Sequence, residues 1–66
     1  DQQKIIWQAL GELSLKLRET AILRYYHGLR YHEIGEVLGI PAKTAESRMR
    51  LALKALREYL EQDDLT

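Results

Sequence analysis

Apolar residues recur at helical spacing from one end of this chain to the other, and no stretch alternates apolar and polar like a half-buried strand. The pattern predicts an all-α, four-helix domain, with helices over residues 3–12, 15–26, 30–38 and 42–61. In the first, Ile6, Leu10 and Leu13 fall on one side and Ile5 and Trp7 flank them, with Trp7 expected as a core anchor. The second opens after Ser14, whose hydroxyl suits an N-cap, and stops at Gly28. Its apolar residues occupy two faces, Leu17, Ala21 and Tyr25 on one and Leu15, Ile22 and Tyr26 on the other. Such a helix is either central to a bundle or partly turned toward a partner.

The third helix carries Tyr31, Ile34, Gly35 and Leu38 at i, i+3, i+4 and i+7, a single buried stripe. Gly39 follows directly. Having no Cβ, it can take the left-handed conformation that ends a helix, and Pro41 then fits the opening of the next, where its missing N–H costs nothing. A glycine in mid-helix costs about 1 kcal/mol against alanine and is tolerated where another backbone comes close. Gly35 therefore marks the place where the following helix is expected to cross. Two short helices joined by the corner Gly39-Ile40-Pro41 have the shape of a DNA-reading helix-turn-helix.

The fourth helix fits that shape. At about 100° per residue, Ala45, Met49, Ala52 and Leu56 fall together toward the core, and Lys43, Ser47, Arg50 and Lys54 fall together on the opposite side. Glu46, Leu51 and Arg57 flank this polar stripe, and Thr44 and Arg48 lie on its side edge. The polar tail beyond is expected to fray. Arginine can bond guanine bidentately, serine and threonine can bond bases or phosphates, and lysine offers a mobile charge to the backbone. The expected DNA-contacting set is Arg30, Tyr31, Lys43, Thr44, Glu46, Ser47, Arg48, Arg50 and Lys54, with Arg24 a further phosphate ligand. Glu46 admits two readings: an acceptor for cytosine N4, or an incidental i,i+4 partner of Arg50.

Length and composition narrow the picture. Sixty-six residues form one small domain, and a chain of about that size buries only about 60% of the surface its unfolded form exposes. There is no cysteine, so neither disulfides nor thiolate metal sites can reinforce a thin core, and a cytoplasmic location is expected. No run is long enough to span a bilayer and no signal-peptide pattern is present, so a soluble domain is expected. The start at Asp1 suggests a fragment of a longer protein. Formal net charge is zero, but the charges are segregated. Residues 24–57 hold Arg24, Arg30, Lys43, Arg48, Arg50, Lys54 and Arg57 against Glu33, Glu36 and Glu46, whereas the tail holds Glu58, Glu61, Asp63 and Asp64 with no base. Screening over roughly 8 Å in physiological salt lets nearby charges dominate, so a local basic surface can still steer toward DNA.

Enzymatic chemistry finds no support. His27 and His32 stand five residues apart, off the spacing of a helical His-x-x-x-His zinc pair. Ser47 has no histidine placed by sequence to activate it, and Glu33 with Glu36 reads as ordinary exposed carboxylates. No catalytic group, metal, cofactor or small-molecule substrate is expected. Tyr25 and Tyr26 are expected as core or rim packing. Leu15, Leu17, Leu51 and Leu53 exceed what so small a domain would leave bare, and are expected to form a protein-interaction surface.

Taken in order, Leu23-Arg24-Tyr25, Gly28-Leu29, Tyr31-His32-Glu33-Ile34, Gly39-Ile40, Thr44 and Ser47-Arg48 resemble the C-terminal region-four domain of bacterial sigma factors, particularly the extracytoplasmic-function (ECF) group. The resemblance covers nearly the whole chain. It implies a domain that recognises the minus-35 element of double-stranded promoter DNA through the major groove and packs on the β flap of RNA polymerase core, with an anti-sigma factor as a further partner. Three departures stand out: Glu46 where the family commonly has a base, Leu51 and Leu53 at positions usually basic, and Arg30 in place of the usual serine or threonine cap. They imply weaker promoter binding and added apolar surface. Two alternatives share the architecture: the DNA-binding domain of a LuxR-type response regulator, and a sigma-like interaction module that no longer reads DNA.

Overall fold

The computed structural model of the chain describes residues 2–64. Among them are α1 (Gln2–Gly11), α2 (Leu15–Ala21), a π-helical turn that prolongs it (Ile22–Tyr26), α3 (Tyr31–Leu38) and α4 (Ala42–Asp64). The all-α, four-helix expectation holds. Helix α4 runs through Asp64, past the expected end at 61, and the behaviour of the tail after it lies outside the described residues.

Each element begins and ends for a local reason. Ser14 caps α2 by accepting from the Leu17 amide at 3.4 Å, and Arg18 donates to the Leu13 carbonyl at 3.2 Å, tying the end of the α1 connection to the helix it enters. Thr20 is fully buried, and its hydroxyl donates to the Lys16 carbonyl one turn back at 3.0 Å, which removes the cost of burying it. Helix α4 is the spine, packing on α1, α2 and α3. The core it helps to form is made largely of small residues: Ala9, Ala21, Ala45 and Ala52 are buried beside Leu10, Leu13, Ile34 and Met49. Ala45, Met49 and Ala52 face inward as the periodicity requires, with Leu56 half-buried against them.

Two expectations fail at the other end of the bundle. Trp7 is not a core anchor: it is 48% exposed, with its ring tilted against Tyr26 at 5.7 Å. The buried stripe of α1 runs through Leu10 and Ala9, and a residue next to Ile6 is turned about 100° off that stripe. The second helix is also not α-helical throughout. His27 donates to the Ile22 carbonyl at 3.2 Å, a bond five residues back that inserts an extra residue into the last turn. Tyr25 and Tyr26, within that turn, are 64% and 66% exposed and lie at the rim and not in the core, while Ile22 at its start still packs on the core.

At the corner, Gly39 takes a φ of 70°, and the Ile40 amide donates to the Gly35 carbonyl at 2.9 Å, closing α3. A Cβ on Gly35 would lie 2.5 Å from the Ile40 carbonyl oxygen. The expected close approach is therefore real, but it is made by the turn backbone and not by the body of the next helix. Gly35→Ala should destabilise the fold by about 1–3 kcal/mol, as overpacking does, although alanine is the better helix former by about 1 kcal/mol. Thermal melting checks this; a midpoint equal to or above the parent's would mean that the contact does not hold the corner.

Candidate nucleic-acid interface

Helix α3 starts at a residue poorly suited to capping. The Arg30 amide donates to Glu33 Oε1 at 2.8 Å, which is half of a capping box. A serine or threonine would complete it by accepting the N3 amide, but a guanidinium has no acceptor. The corner that delivers the chain to Arg30 is held from outside. Gly28 has a φ of 68°, the Leu29 amide donates back to the Leu23 carbonyl at 3.1 Å, and Arg24 donates to the Leu29 carbonyl at 3.0 Å. The Arg24 guanidinium also lies over the half-buried Tyr31 ring, 5.1 Å from its centroid. Arg24, expected only as a phosphate ligand, is already engaged within the fold.

On α4 the polar stripe emerges as the angles require. Lys43, Ser47, Arg50 and Lys54 are all exposed, while Thr44 and Arg48 sit half-buried at its edge. From Lys43 to Lys54 the stripe runs along roughly 16 Å of helix, at about 1.5 Å per residue. Major grooves of about 12 Å width admit such a helix, and at about 3.4 Å per base that length matches about five base steps. Glu46 stands beside the stripe and accepts from Arg50 at 3.3 Å, with both side chains more than half exposed. The intrahelical pairing foreseen for it is thus formed, and it holds the arginine head group near the stripe.

The leucines divide. Leu15, Leu51 and Leu53 are exposed, whereas Leu17 is half-buried and packs on the core. A different apolar feature escaped sequence reasoning: a groove of about 380 Å³ between α1, the end of the second helix and the distal part of α4, lined by Ile6, Leu10, Tyr25, Met49, Leu53 and Leu56 among others. A smaller cleft walled by Trp7 and Tyr26 adjoins it through Ile6, Leu10 and Tyr25. The signal was present in the two apolar faces of the second helix; what could not be seen was the π turn that carries Tyr25, one wall of the groove. Among the described residues no group of three or more histidines and carboxylates could hold a metal, and no helix is long and apolar enough to cross a membrane.

Residues 3–56 match the family described as Sigma-70, region 4. The chain is 36% identical over 59 residues to RNA polymerase sigma factor SigV of Bacillus subtilis (strain 168), covering 89% of this chain and 36% of that protein. It is 35% identical over 60 residues to ECF RNA polymerase sigma factor SigK of Mycobacterium sp. (strain KMS), covering 91% and 31%. For SigK of Mycobacterium tuberculosis (strain ATCC 25177 / H37Ra) the identity is 36% over 61 residues, covering 92% and 33%. The chain thus spans about one third of the length of these curated relatives.

The exposed Glu46–Arg50 pair should contribute little to stability. A double-mutant cycle with Glu46→Gln and Arg50→Gln should give a coupling of about 0.3–0.5 kcal/mol by denaturant unfolding. A coupling above about 1 kcal/mol would show that the pair holds the helix together and is not merely placed on its surface.

Proposed function

The chain belongs to the Sigma-70 region 4 family, and from that membership we propose that it is the promoter-reading domain of an alternative sigma factor, with α4 laid in the major groove at the minus-35 element. The observation that carries this reading is the division of α4: Ala45, Met49 and Ala52 are buried, while Lys43, Ser47, Arg50 and Lys54 project to solvent from the opposite side. A helix that anchors its own fold on one face presents the other rigidly, which is what base reading needs. Arg30, Lys43, Arg48, Arg50 and Lys54 take phosphates or base edges, Thr44 and Ser47 add short polar contacts, and Tyr31 reaches the backbone at the start of α3. Residues 1–66 act as a single helix-turn-helix unit of a longer protein that works in the cytoplasm.

Transcription initiation also needs a hold on RNA polymerase. The apolar groove beside Tyr25 and Leu53 is the surface we assign to the β flap, with Leu15 and Leu51 as further exposed apolar contacts and an anti-sigma factor as the competing occupant. The family match favours this assignment over a LuxR-type regulator. A second reading, an interaction module that no longer reads DNA, draws on the exposed Leu51 and Leu53 and on the carboxylate beside the stripe.

Duplex binding separates the two. With about three to five phosphate contacts, log affinity should fall against log salt with a slope of about −0.9 per contact, from roughly micromolar affinity or weaker at physiological salt. A flat titration would leave only the interaction module. Glu46 should also leave a mark on selectivity. If its carboxylate accepts from cytosine N4, Glu46→Gln relaxes preference at one position of a library of single-base promoter variants. Preferences unchanged at every position would reduce Glu46 to the partner of Arg50.

A further inference from the structure

Three neighbouring residues at the entrance to α3 are each held by a separate interaction, and two of the three come from one side chain. The Leu29 carbonyl accepts from Arg24 at 3.0 Å, the Arg30 amide donates to Glu33 at 2.8 Å, and the Tyr31 ring lies under the Arg24 guanidinium at 5.1 Å. Arg24 belongs to the π-helical turn, so this grip crosses from the second helix to the first helix of the helix-turn-helix. A planar guanidinium can donate at its edge while its face covers an aromatic ring, whereas an ammonium is a compact point charge that cannot do both in one geometry. The grip matters more here because the cap of α3 is incomplete: Arg30 cannot return the bond that a serine or threonine would.

We infer that Arg24 is a positioning residue for DNA recognition, fixing the Leu29–Tyr31 entrance so that Arg30 and Tyr31 meet the phosphate backbone in register with the stripe on α4. The inference rests on the duplex-reading proposal above. It replaces the simpler role of Arg24 as one more positive charge, and the two roles differ in what a lysine can supply. Lysine keeps the charge and loses the fork and the flat face.

Binding of the chain to a mixed-sequence DNA duplex, followed by fluorescence anisotropy across a salt series, tests it. Arg24→Lys should weaken binding about five- to tenfold at every salt concentration, leave the salt slope unchanged and leave the helical circular dichroism intact. Tyr31→Phe keeps the ring face and loses only the hydroxyl, so Tyr31→Leu should bind more weakly than Tyr31→Phe, and that difference between the two should largely vanish when each is combined with Arg24→Lys. Arg24→Lys binding as tightly as the parent would overturn the inference and restore Arg24 to a plain charge. Should Arg24→Lys lose its helical signal, the tyrosine pair decides: Phe and Leu variants that bind alike would overturn it, and a larger loss for Leu than for Phe would uphold it. A flat titration for the parent chain would instead defeat the duplex reading itself, and this inference with it.

Discussion

Burial of one narrow face of α4 is the constraint on which the rest of this domain depends. Ala45 and Ala52 are fully covered and Met49 nearly so, and the helix carrying them touches each of the other three. Because the helical period is fixed, settling the direction of that face settles the direction of every other residue on the rod. The polar stripe is aimed by the core beneath it. Alanine at the contacts lets helix axes approach closely and adds no side-chain entropy cost on burial, which suits a chain too short to build a large apolar interior.

The angle between α3 and α4 is fixed by backbone more than by side chains. Gly35 lets the Ile40 carbonyl come against the middle of α3, and the Gly39 conformation returns the Ile40 amide to the Gly35 carbonyl. One residue thus receives the turn both at its Cα and at its oxygen. Upstream, the entrance to α3 is fixed by Arg24 and Glu33 from opposite ends of the same few residues. Between these two anchored points lies a helix of only two turns, with Ile34 fully buried at its centre. A short helix of this kind is marginal alone and takes its stability from its ends and its one buried face.

Most of this was legible in the sequence wherever a residue's role follows from spacing. The stripe on α4 and the left-handed Gly39 were so placed, and Gly35 announced a close approach through its cost in mid-helix. Legibility failed where the spacing itself changed. Ala21 and Tyr25 share a face in a regular α-helix, yet one is buried and the other mostly exposed, and the residues from Ile22 to Tyr26 form a π turn closed by the bond from His27 to Ile22. Nothing in residues 22–26 considered singly signals that turn. Trp7 failed for a different reason: large apolar size suggested an anchor, but its angle already put it off the stripe, and angle outweighed size. For the proposed contact residues the sequence supplied their face, while the engagement of Arg24 with Leu29 and Tyr31 needed the path of the chain around Gly28.

The split of α4 into a buried face and a solvent face has an evolutionary consequence. Residues 45, 49 and 52 answer to folding, and residues 43, 47, 50 and 54 answer to whatever the helix meets outside. Changes in the second set leave the first untouched, since exposed positions remote from caps and cores shift stability by only about half a kcal/mol. Divergence can therefore explore new recognition surfaces on an inherited scaffold without passing through unfolded ancestors.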